Sequence, residues 1–470
     1  MADFHDHDKV ITDIAYLSRE LYRNLVTLCD DIGSRWTGTP GEEKACRFLK
    51  RKLEEYGLED VCAERFETLS WYPEKSKVEF KPELNVVGEV KSVPLIYSPS
   101  AEVEGKVVYV GHGRPREFEL KKEEIRGNIV LTTNKAFPPF TSVRVTIEDK
   151  YRKAVELGAA GMIVMNERNM GNLCFTSLIH WFRREGETYY PIEENAEIPC
   201  VSVSKELGER MKREISKRSG ELKAAISTKT SLKKVSSYNV MGDLKGGEHP
   251  EEKVIICAHY DGMFLSPAAI DNASGVCVLL GIAEALSRLR ETFGEKALKR
   301  TLRFIAFSAE ELGLKGSLAY VEKHRDELRN VRLVINMDEL AAGRLKGFRL
   351  QFPELVPFFQ RLVDDMCLPL TTHLEPFVDT TSDHFPFTLN GVPIMLLWRW
   401  RYMGEYPTHQ YTHTEADTID KIELKDLHEY VATVARCALR VVNTPRERWP
   451  AIHRPRKEIL KLLERPVTPY

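Results

Sequence analysis

The sequence predicts an α/β fold in which a mostly parallel sheet is sandwiched by helices, together with a separate β-rich domain. Beyond residue 238, the apolar runs VIICA, LRFIAF, VRLVIN and VPIMLLW alternate with helical patterns such as GVCVLLGIAEALSRL. Strands that are apolar almost throughout are typical of sheets buried on both faces. Helices between such strands predict right-handed crossovers, which join parallel strands.

The part of the chain before this sheet is organised differently. Helical patterns cover residues 14–29 and continue from Pro40 to Gly57, where a turn begins the helix and a glycine ends it. From about residue 71, the short strand-like runs KVVYV, NIVLTT, GMIVM and CVSVS predict a separate small domain. A last helix is predicted over residues 423–442, and proline mixed with charge follows it.

Composition excludes several classes of partner. The 470 residues are 43% hydrophobic and 29% charged, and a net charge of -2 gives no basic field for nucleic acid. No window holds ~18 uninterrupted apolar residues, and the acidic start MADFHDHDKV does not resemble a secretory signal. Nine scattered cysteines without a CxxC pair predict reduced, structural thiols. We therefore expect a cytoplasmic protein with neither a nucleic acid nor a membrane partner; homo-oligomerisation is left open.

Candidate metal ligands follow each apolar run of the predicted sheet. Ligands collect beyond the carboxyl ends of the strands in open α/β sheets. Two imidazoles and three carboxylates fall at such positions, and they suit a pair of zinc or similar divalent ions. No thiolate is among them, which favours a catalytic site over a structural one. The candidates in chain order are His259, Asp271, Glu311, Asp338 and His413.

Each candidate taken alone has a simpler interpretation. Asp271, which Asn272 and Ser274 follow, could cap the next helix. The adjacent Glu310 and Glu311 could form a solvated first helical turn that the helix dipole favours. Placement of all the candidates at successive strand ends of one sheet nevertheless favours a shared metal site.

Six motifs carry a family resemblance. In chain order they are AHYD, AIDNASG, FSAEELGLKGS, INMDE, SDHFPF and YTHTEADT. Together they resemble the co-catalytic dizinc aminopeptidase family, whose relatives include glutamate carboxypeptidase and the transferrin-receptor ectodomain. GKVVYV, RGNIVLTTN and YRKAVELGAAGMIVMN resemble the protease-associated domain that many members carry as an insertion. The resemblance implies a peptidase domain from residues 1–70 and 236–445, an inserted domain over 71–235, and a C-terminal tail over 446–470.

The resemblance also assigns roles to the candidate ligands. His259 and Asp338 would hold one zinc ion, Glu311 and His413 the other, and Asp271 would bridge both. Co²⁺ or Mn²⁺ could replace zinc. Two such ions activate a shared water and polarise the carbonyl of the scissile bond.

Two further carboxylates complete the implied site. Glu310 would be the general base, since a carboxylate not committed to metal must move the proton. Asp261 would accept the second ring N–H of His259, as ligating imidazoles usually require. The implied activity is that of an aminopeptidase acting on peptides. The alternatives are a carboxypeptidase or dipeptidase of the same family, a glutaminyl cyclase, and a receptor-like protein with an inactive site.

Several features near the implied site leave alternatives open. Arg399 and Arg401 could pair with a peptide carboxylate or could be solvated at a strand end. Glu339 stands where the family commonly has an apolar residue, and it could tune specificity or point away. Tyr402, Tyr406 and Tyr411 are candidates for an oxyanion donor, whereas His384 is not counted as a metal ligand.

Overall fold

The computed structural model describes residues 4–463, with the exception of residues 86–88, 136–144, 169–170, 180–181, 186–187, 192–193, 218–221, 376–377, 399–410 and 451. The described residues form two compact units. The first consists of residues from 1–68 and most of 236–466, and the second mainly of residues 69–235.

The helices and strands of the described residues are numbered along the chain. The helices are α1 (His5–Leu17), α2 (Glu20–Val26), α3 (Pro40–Glu55), α4 (Pro115–Glu119), α5 (Lys122–Ile125), α6 (Ile147–Glu156), α7 (Lys205–Lys217), α8 (Ser274–Phe293), α9 (Lys315–Lys323), α10 (Leu355–Asp365), α11 (His384–Leu389), α12 (Leu424–Asn443) and α13 (Arg456–Leu463). The strands are β1 (Glu59–Lys81), β2 (Val93–Pro94), β3 (Ala101–Tyr109), β4 (Ile129–Thr133), β5 (Gly161–Met165), β6 (Phe182–Glu185), β7 (Thr188–Pro191), β8 (Cys200–Val203), β9 (Lys223–Leu244), β10 (His249–His259), β11 (Arg300–Phe307), β12 (Val331–Asn336), β13 (Gly347–Leu350), β14 (Thr371–Leu374) and β15 (Ile394–Trp398).

The sheet of the first unit has the strand order β14-β13-β15-β12-β10-β11-β9. Its four central strands, β15, β12, β10 and β11, run parallel to one another. Towards the two sides, β13 and β9 pair antiparallel with their inner neighbours. The central strands are the four apolar runs of the sequence, and the predicted fold class is confirmed. The short strands β13 and β14 were not predicted.

Helix α8 packs against the sheet strand β10 and against α12. Its sequence is apolar on nearly every face, and burial on every side follows from that. Gly281 permits the close approach of the two helices, because a Cβ there would lie 2.8 Å from a Val431 methyl group. Among the described residues, Ala269–Phe293 is the one helical stretch that is long and apolar enough to cross a membrane, and 94% of its most apolar part is buried inside the protein. A buried core helix has the same length and composition.

The second unit has the strand order β9-β3-β4-β5-β8-β2. Strands β3, β4, β5 and β8 run parallel, and apolar clusters fill the space beside the sheet. Helix α6 begins with a capping box, in which Thr146 and Asp149 satisfy each other's backbone N–H groups. These elements are the strand-like runs and the helical stretch that the sequence predicts for the separate small domain.

The C-terminal part of the first unit is attached through a buried ion cluster. Glu252 of β10 is 9% exposed, and it accepts hydrogen bonds from Arg300 at 2.5 Å, from Arg332 at 2.6 Å and from Arg446. Burial alone would raise the pKa of Glu252, but the arginines lower it to about 2. Through Arg446, this cluster attaches the segment after α12 to β10. The sequence did not predict this contact.

We expect Glu252→Gln to lower the free energy of unfolding by about 3–5 kcal/mol, because removal of the shared anion leaves buried Arg300 and Arg332 without their counter-charge. The folded-state pKa lies below the ordinary 4.5. The contribution is therefore fully present above that ordinary value and is lost as the pH falls towards about 2. Urea unfolding at several pH values measures both effects.

Glu251→Gln is the matched control, because the neighbouring Glu251 pairs with Arg446 at an exposed position where both side chains are more than half exposed. Exposed pairs contribute about 0–1 kcal/mol. Losses of the same small size in the two variants would contradict the importance assigned to the buried cluster.

Candidate metal centre

The candidate ligands lie where neighbouring parallel strands end. His259 is the last residue of β10, and its register partner Phe307 is the last residue of β11. Glu310 and Glu311 follow β11 after a two-residue turn, and Asp338 follows β12. Adjacent parallel strands end at the same edge of a sheet, and this brings together side chains far apart in sequence.

One group of candidate ligands surrounds the His259 ring. Its Nε2 atom lies 3.1 Å from Oδ1 of Asp271 and 3.2 Å from Oδ1 of Asp338. Burial alone would lower the pKa of the ring, but the carboxylates of Asp338 and Glu310 raise the pKa of His259 well above its ordinary range. The ring nitrogen thus faces two oxygen donors, as a ligand of a shared cation does.

A second group shares a residue with the first. Asp271, Glu311 and His413 offer one ligand atom each, and these atoms lie within 4.8 Å of one another. The same limit holds for the group of His259, Asp271 and Asp338. Asp271 is the member common to both groups.

The donor set fits a cation such as zinc. Imidazole nitrogens and carboxylate oxygens are the ligands that catalytic zinc takes in proteins. His259, Asp271 and Glu311 are each no more than 5% exposed, and buried carboxylates this close together repel unless a cation offsets their charge. The ligand types and the closely spaced carboxylates therefore both suit a bound cation such as zinc.

Two regions of the chain match known family models. Residues 239–438 match the model of Peptidase family M28, and residues 92–211 match that of the PA domain. The region that matches Peptidase family M28 contains all the candidate ligands, and the region that matches the PA domain precedes it in the chain. The resemblance that the motifs carry is thereby confirmed.

The chain is similar to several curated and solved proteins. It is 27% identical to carboxypeptidase Q from Rattus norvegicus over 360 residues, which cover 75% of this chain and 71% of that protein. A peptidase M28 precursor from Shewanella amazonensis has a TM-score of 0.74 at 20% identity and covers 94% of this chain and 98% of its own. A zinc aminopeptidase from Bacillus subtilis has a TM-score of 0.66 at 21% identity, with coverages of 92% and 96%. These structural likenesses extend the shared fold to nearly the whole chain, and the match to Peptidase family M28 implies zinc.

Glu310 is the candidate base of the M28 site. It is 3% exposed, and it belongs to a third group of possible ligands with His259 and Glu311. Burial raises the pKa of Glu310 well above its ordinary range; His259 opposes this shift and Glu311 reinforces it. A carboxyl group held among other acids in this way is a typical proton carrier.

Asp261 lies beside His259, but its carboxylate has other partners. Nδ1 of His259 lies 3.2 Å from the backbone oxygen of Asp261 and 3.5 Å from its carboxylate. That carboxylate accepts the backbone N–H groups of Glu310 at 3.2 Å and of Glu311 at 3.3 Å. Asp261 thus connects the ends of β10 and β11, and its predicted role as acceptor of the second ring N–H of His259 stays a prediction.

Ser382 is a site residue whose motif the sequence analysis singled out without assigning Ser382 a role of its own. Its hydroxyl donates to Oδ2 of Asp338 at 2.7 Å, and it accepts a hydrogen bond from the Asn336 side chain at 2.8 Å. The signal was the motif SDHFPF. His384 of the same motif joins none of the metal-ligand groups among the described residues; its Nε2 lies 3.1 Å from the backbone oxygen of Asp379.

Asp383 is a second residue of this kind. Asp383 is completely buried. Burial raises its pKa to about 7, although the charge of His259 acts in the opposite direction. The charge of Asp383 also acts on Glu310. The predicted Arg399, Arg401, Tyr402 and Tyr406 lie outside the described residues.

Proposed function

We propose that this chain is a dizinc aminopeptidase that removes N-terminal residues from peptides. The observation that carries the proposal is the pair of ligand groups that share Asp271, with Glu310 beside them. His259 and Asp338 would hold one ion, Glu311 and His413 the other, and Asp271 both. Co²⁺ or Mn²⁺ could occupy the same positions, since they accept the same nitrogen and oxygen ligands.

When bound, two divalent ions lower the pKa of water and polarise a carbonyl group. The chain's own residues must then move the proton. Glu310 takes it from the attacking water and gives it to the leaving amine, and its raised pKa matches this exchange. Asp261 holds the backbone of the Glu310-Glu311 pair, and Ser382 fixes the orientation of Asp338.

A free N-terminus is the feature of the substrate that this site would recognise. Asp338, whose side chain is 21% exposed, gives the acidic cluster an accessible carboxylate. A charge-assisted contact of this kind contributes about 1.5–3 kcal/mol, enough for roughly a tenfold to hundredfold preference. We therefore expect blocked peptides to be poor substrates.

One pentapeptide in three forms tests the proposal: free, N-acetylated and C-amidated. The zinc-loaded chain should shorten the free and amidated forms from the N-terminus at similar rates. The acetylated form should react roughly tenfold to hundredfold more slowly, since it lacks the cationic amine. Mass spectrometry of time points identifies which end is lost, and a chelated sample is the control for contaminating peptidases.

The carboxypeptidase alternative makes the opposite demand. The likeness to carboxypeptidase Q fits this alternative, in which a terminal carboxylate would be the group recognised. In that case, amidation should abolish cleavage and acetylation should not. Loss of C-terminal residues from the acetylated peptide would contradict the aminopeptidase proposal.

The proposal also covers the cellular compartment, the partners and the domain limits of the enzyme. The nine cysteines are all free and seven of them are buried, which supports a reducing compartment such as the cytoplasm. Peptides are the proposed partners, with neither nucleic acid nor membrane required. The proposed domain limits are 1–70 and 236–445 for the peptidase, 71–235 for the protease-associated domain and 446–470 for the tail. Cell fractionation tests the location.

A further inference from the structure

Arg35 is a buried cation that the proposed reaction does not use. It lies in the turn before α3 and is 0% exposed. Its guanidinium donates to backbone oxygens of Pro267 at 2.5 Å, of Ala268 at 3.0 Å and of Tyr260 at 2.7 Å. Its remaining acceptors are the backbone oxygens of Leu28 and Gly33. The side chain thus connects the helical start of the chain with the turn after β10.

Asp417 contacts the same turn through its carboxylate. It is 1% exposed, and it accepts the backbone N–H of Ile270 at 2.7 Å and that of Asp271 at 3.2 Å. Its backbone oxygen also accepts the N–H of Ala269 at 3.4 Å. The carboxylate of Asp417 therefore accepts hydrogen bonds from N–H groups of the turn, whereas the guanidinium of Arg35 donates to carbonyl groups of the same turn.

The turn over residues 267–271 depends on such contacts. Ala268 has a φ of +50°, a left-handed conformation that costs a residue with a Cβ about 1–2 kcal/mol. Asp271 and Asn272 do not have helical dihedral angles either, and the hydrogen bonds within this segment, such as that from the N–H of Ala273 to the oxygen of Ala268 at 3.0 Å, leave the N–H groups of Ile270 and Asp271 to partners outside it. Its buried backbone groups need partners from elsewhere, and Arg35 and Asp417 supply them.

We propose that Arg35 and Asp417 are positioning residues that fix the turn so that Asp271 reaches both metal positions. A bridging carboxylate has to direct each of its oxygens at a different ion, and a site of this kind works only when its ligands are held to within about 0.5 Å. A cation on the carbonyl side and an anion on the N–H side restrain the turn from both directions. This inference rests on the proposed sharing of Asp271 by two ions.

Asp417→Asn tests the role with little change in size. The amide keeps one acceptor oxygen, but its NH₂ group faces one of the two backbone N–H groups and cannot accept from it. We expect the affinity for both ions to fall about 10–100-fold, as it does when an outer contact of a metal ligand is removed. Calorimetric zinc titration of the chelator-treated full chain measures this, and the visible spectrum of the Co²⁺ form reports the geometry at each ion.

Asp420→Asn is the matched control, because Asp420 lies three residues further along and its side chain is 68% exposed. It should leave both affinities unchanged. The temperature of unfolding of the metal-free chain separates positioning from a merely structural role. It should stay within a few degrees of the wild-type value in Asp417→Asn.

Four outcomes would overturn the inference. Unchanged affinity and an unchanged Co²⁺ spectrum in Asp417→Asn would exclude a positioning role, even where the wild-type chain binds two ions. A loss of affinity for only one of the two ions would also exclude it. The same holds if the metal-free variant is destabilised as much as its metal affinity is weakened. A wild-type chain that binds one ion would contradict the dizinc proposal itself, and with it this inference. Arg35→Lys, which keeps the charge but not the planar fork of donors, should weaken both ions in the same way if the chain folds.

Discussion

The Glu310→Gln variant is expected to keep its metal and to lose about 10²–10⁴-fold of its turnover, the contribution that a positioned general base makes. Glutamine has nearly the size of glutamate but cannot take up the proton. The candidate metal groups that include Asp271 do not need Glu310, so the metal content should not change. Peptide turnover and metal analysis on the same preparation measure the two quantities together.

The rival base is Asp383, because it is the buried carboxyl group that acts on Glu310 without belonging to a metal-ligand group among the described residues. Asp383→Asn is therefore the informative second variant. Glu322→Gln on α9, where the side chain is 73% exposed, controls for the substitution itself and should have wild-type turnover. Near-normal turnover in Glu310→Gln together with a large loss in Asp383→Asn would assign the base to Asp383 instead.

The central sheet was predictable because its strands have a strong local pattern. β10, β11, β12 and β15 each contain a run of buried apolar residues, as is typical of strands covered on both faces. β14 has four residues, most of them exposed, and an edge strand of that kind has no periodic burial to detect. The sequence also indicates a change of texture near residue 236, whereas the backbone of β9 continues as one strand from Lys223 to Leu244.

The ligands were predictable for a different reason. His259, Glu311 and Asp338 each lie at or shortly after the end of a strand with an apolar run, so that their position in the sheet follows from the order of the strands. The prediction that these side chains lie close together therefore requires no information on side-chain contacts. The assignment of separate roles came from the family resemblance, because spacing alone does not tell which of two adjacent glutamates faces a metal.

The supporting residues could not be predicted in this way. Arg35 contacts Pro267, which is 232 residues away, and Ser382 contacts Asp338 across 44 residues. Contacts between turns of this kind depend on tertiary packing and leave no local pattern. For Asp261, the sequence placed the residue beside the imidazole, but it did not predict that the carboxylate would also hold the N–H groups after β11.

The Asp271→Ala variant is expected to weaken both metal positions, whereas His413→Ala should weaken one. Asp271 is the ligand common to the two groups, and His413 belongs to a single group. Loss of a direct ligand should exceed the about 10–100-fold effect that the loss of an outer contact produces. Turnover should be lost in both variants, so activity alone does not separate the two residues.

Stepwise zinc titration with metal analysis separates them, because it counts the ions that remain bound at each free concentration. Asp271→Asn is the matched control for size, since it keeps one oxygen that can still contact one ion. It should therefore retain more metal than Asp271→Ala. If Asp271→Ala and His413→Ala each lost one ion and kept the other at wild-type affinity, Asp271 would serve a single position. The shared carboxylate would then have to be sought elsewhere, and Glu311, which lies with His259 in one group and with His413 in another, would be the residue to replace next.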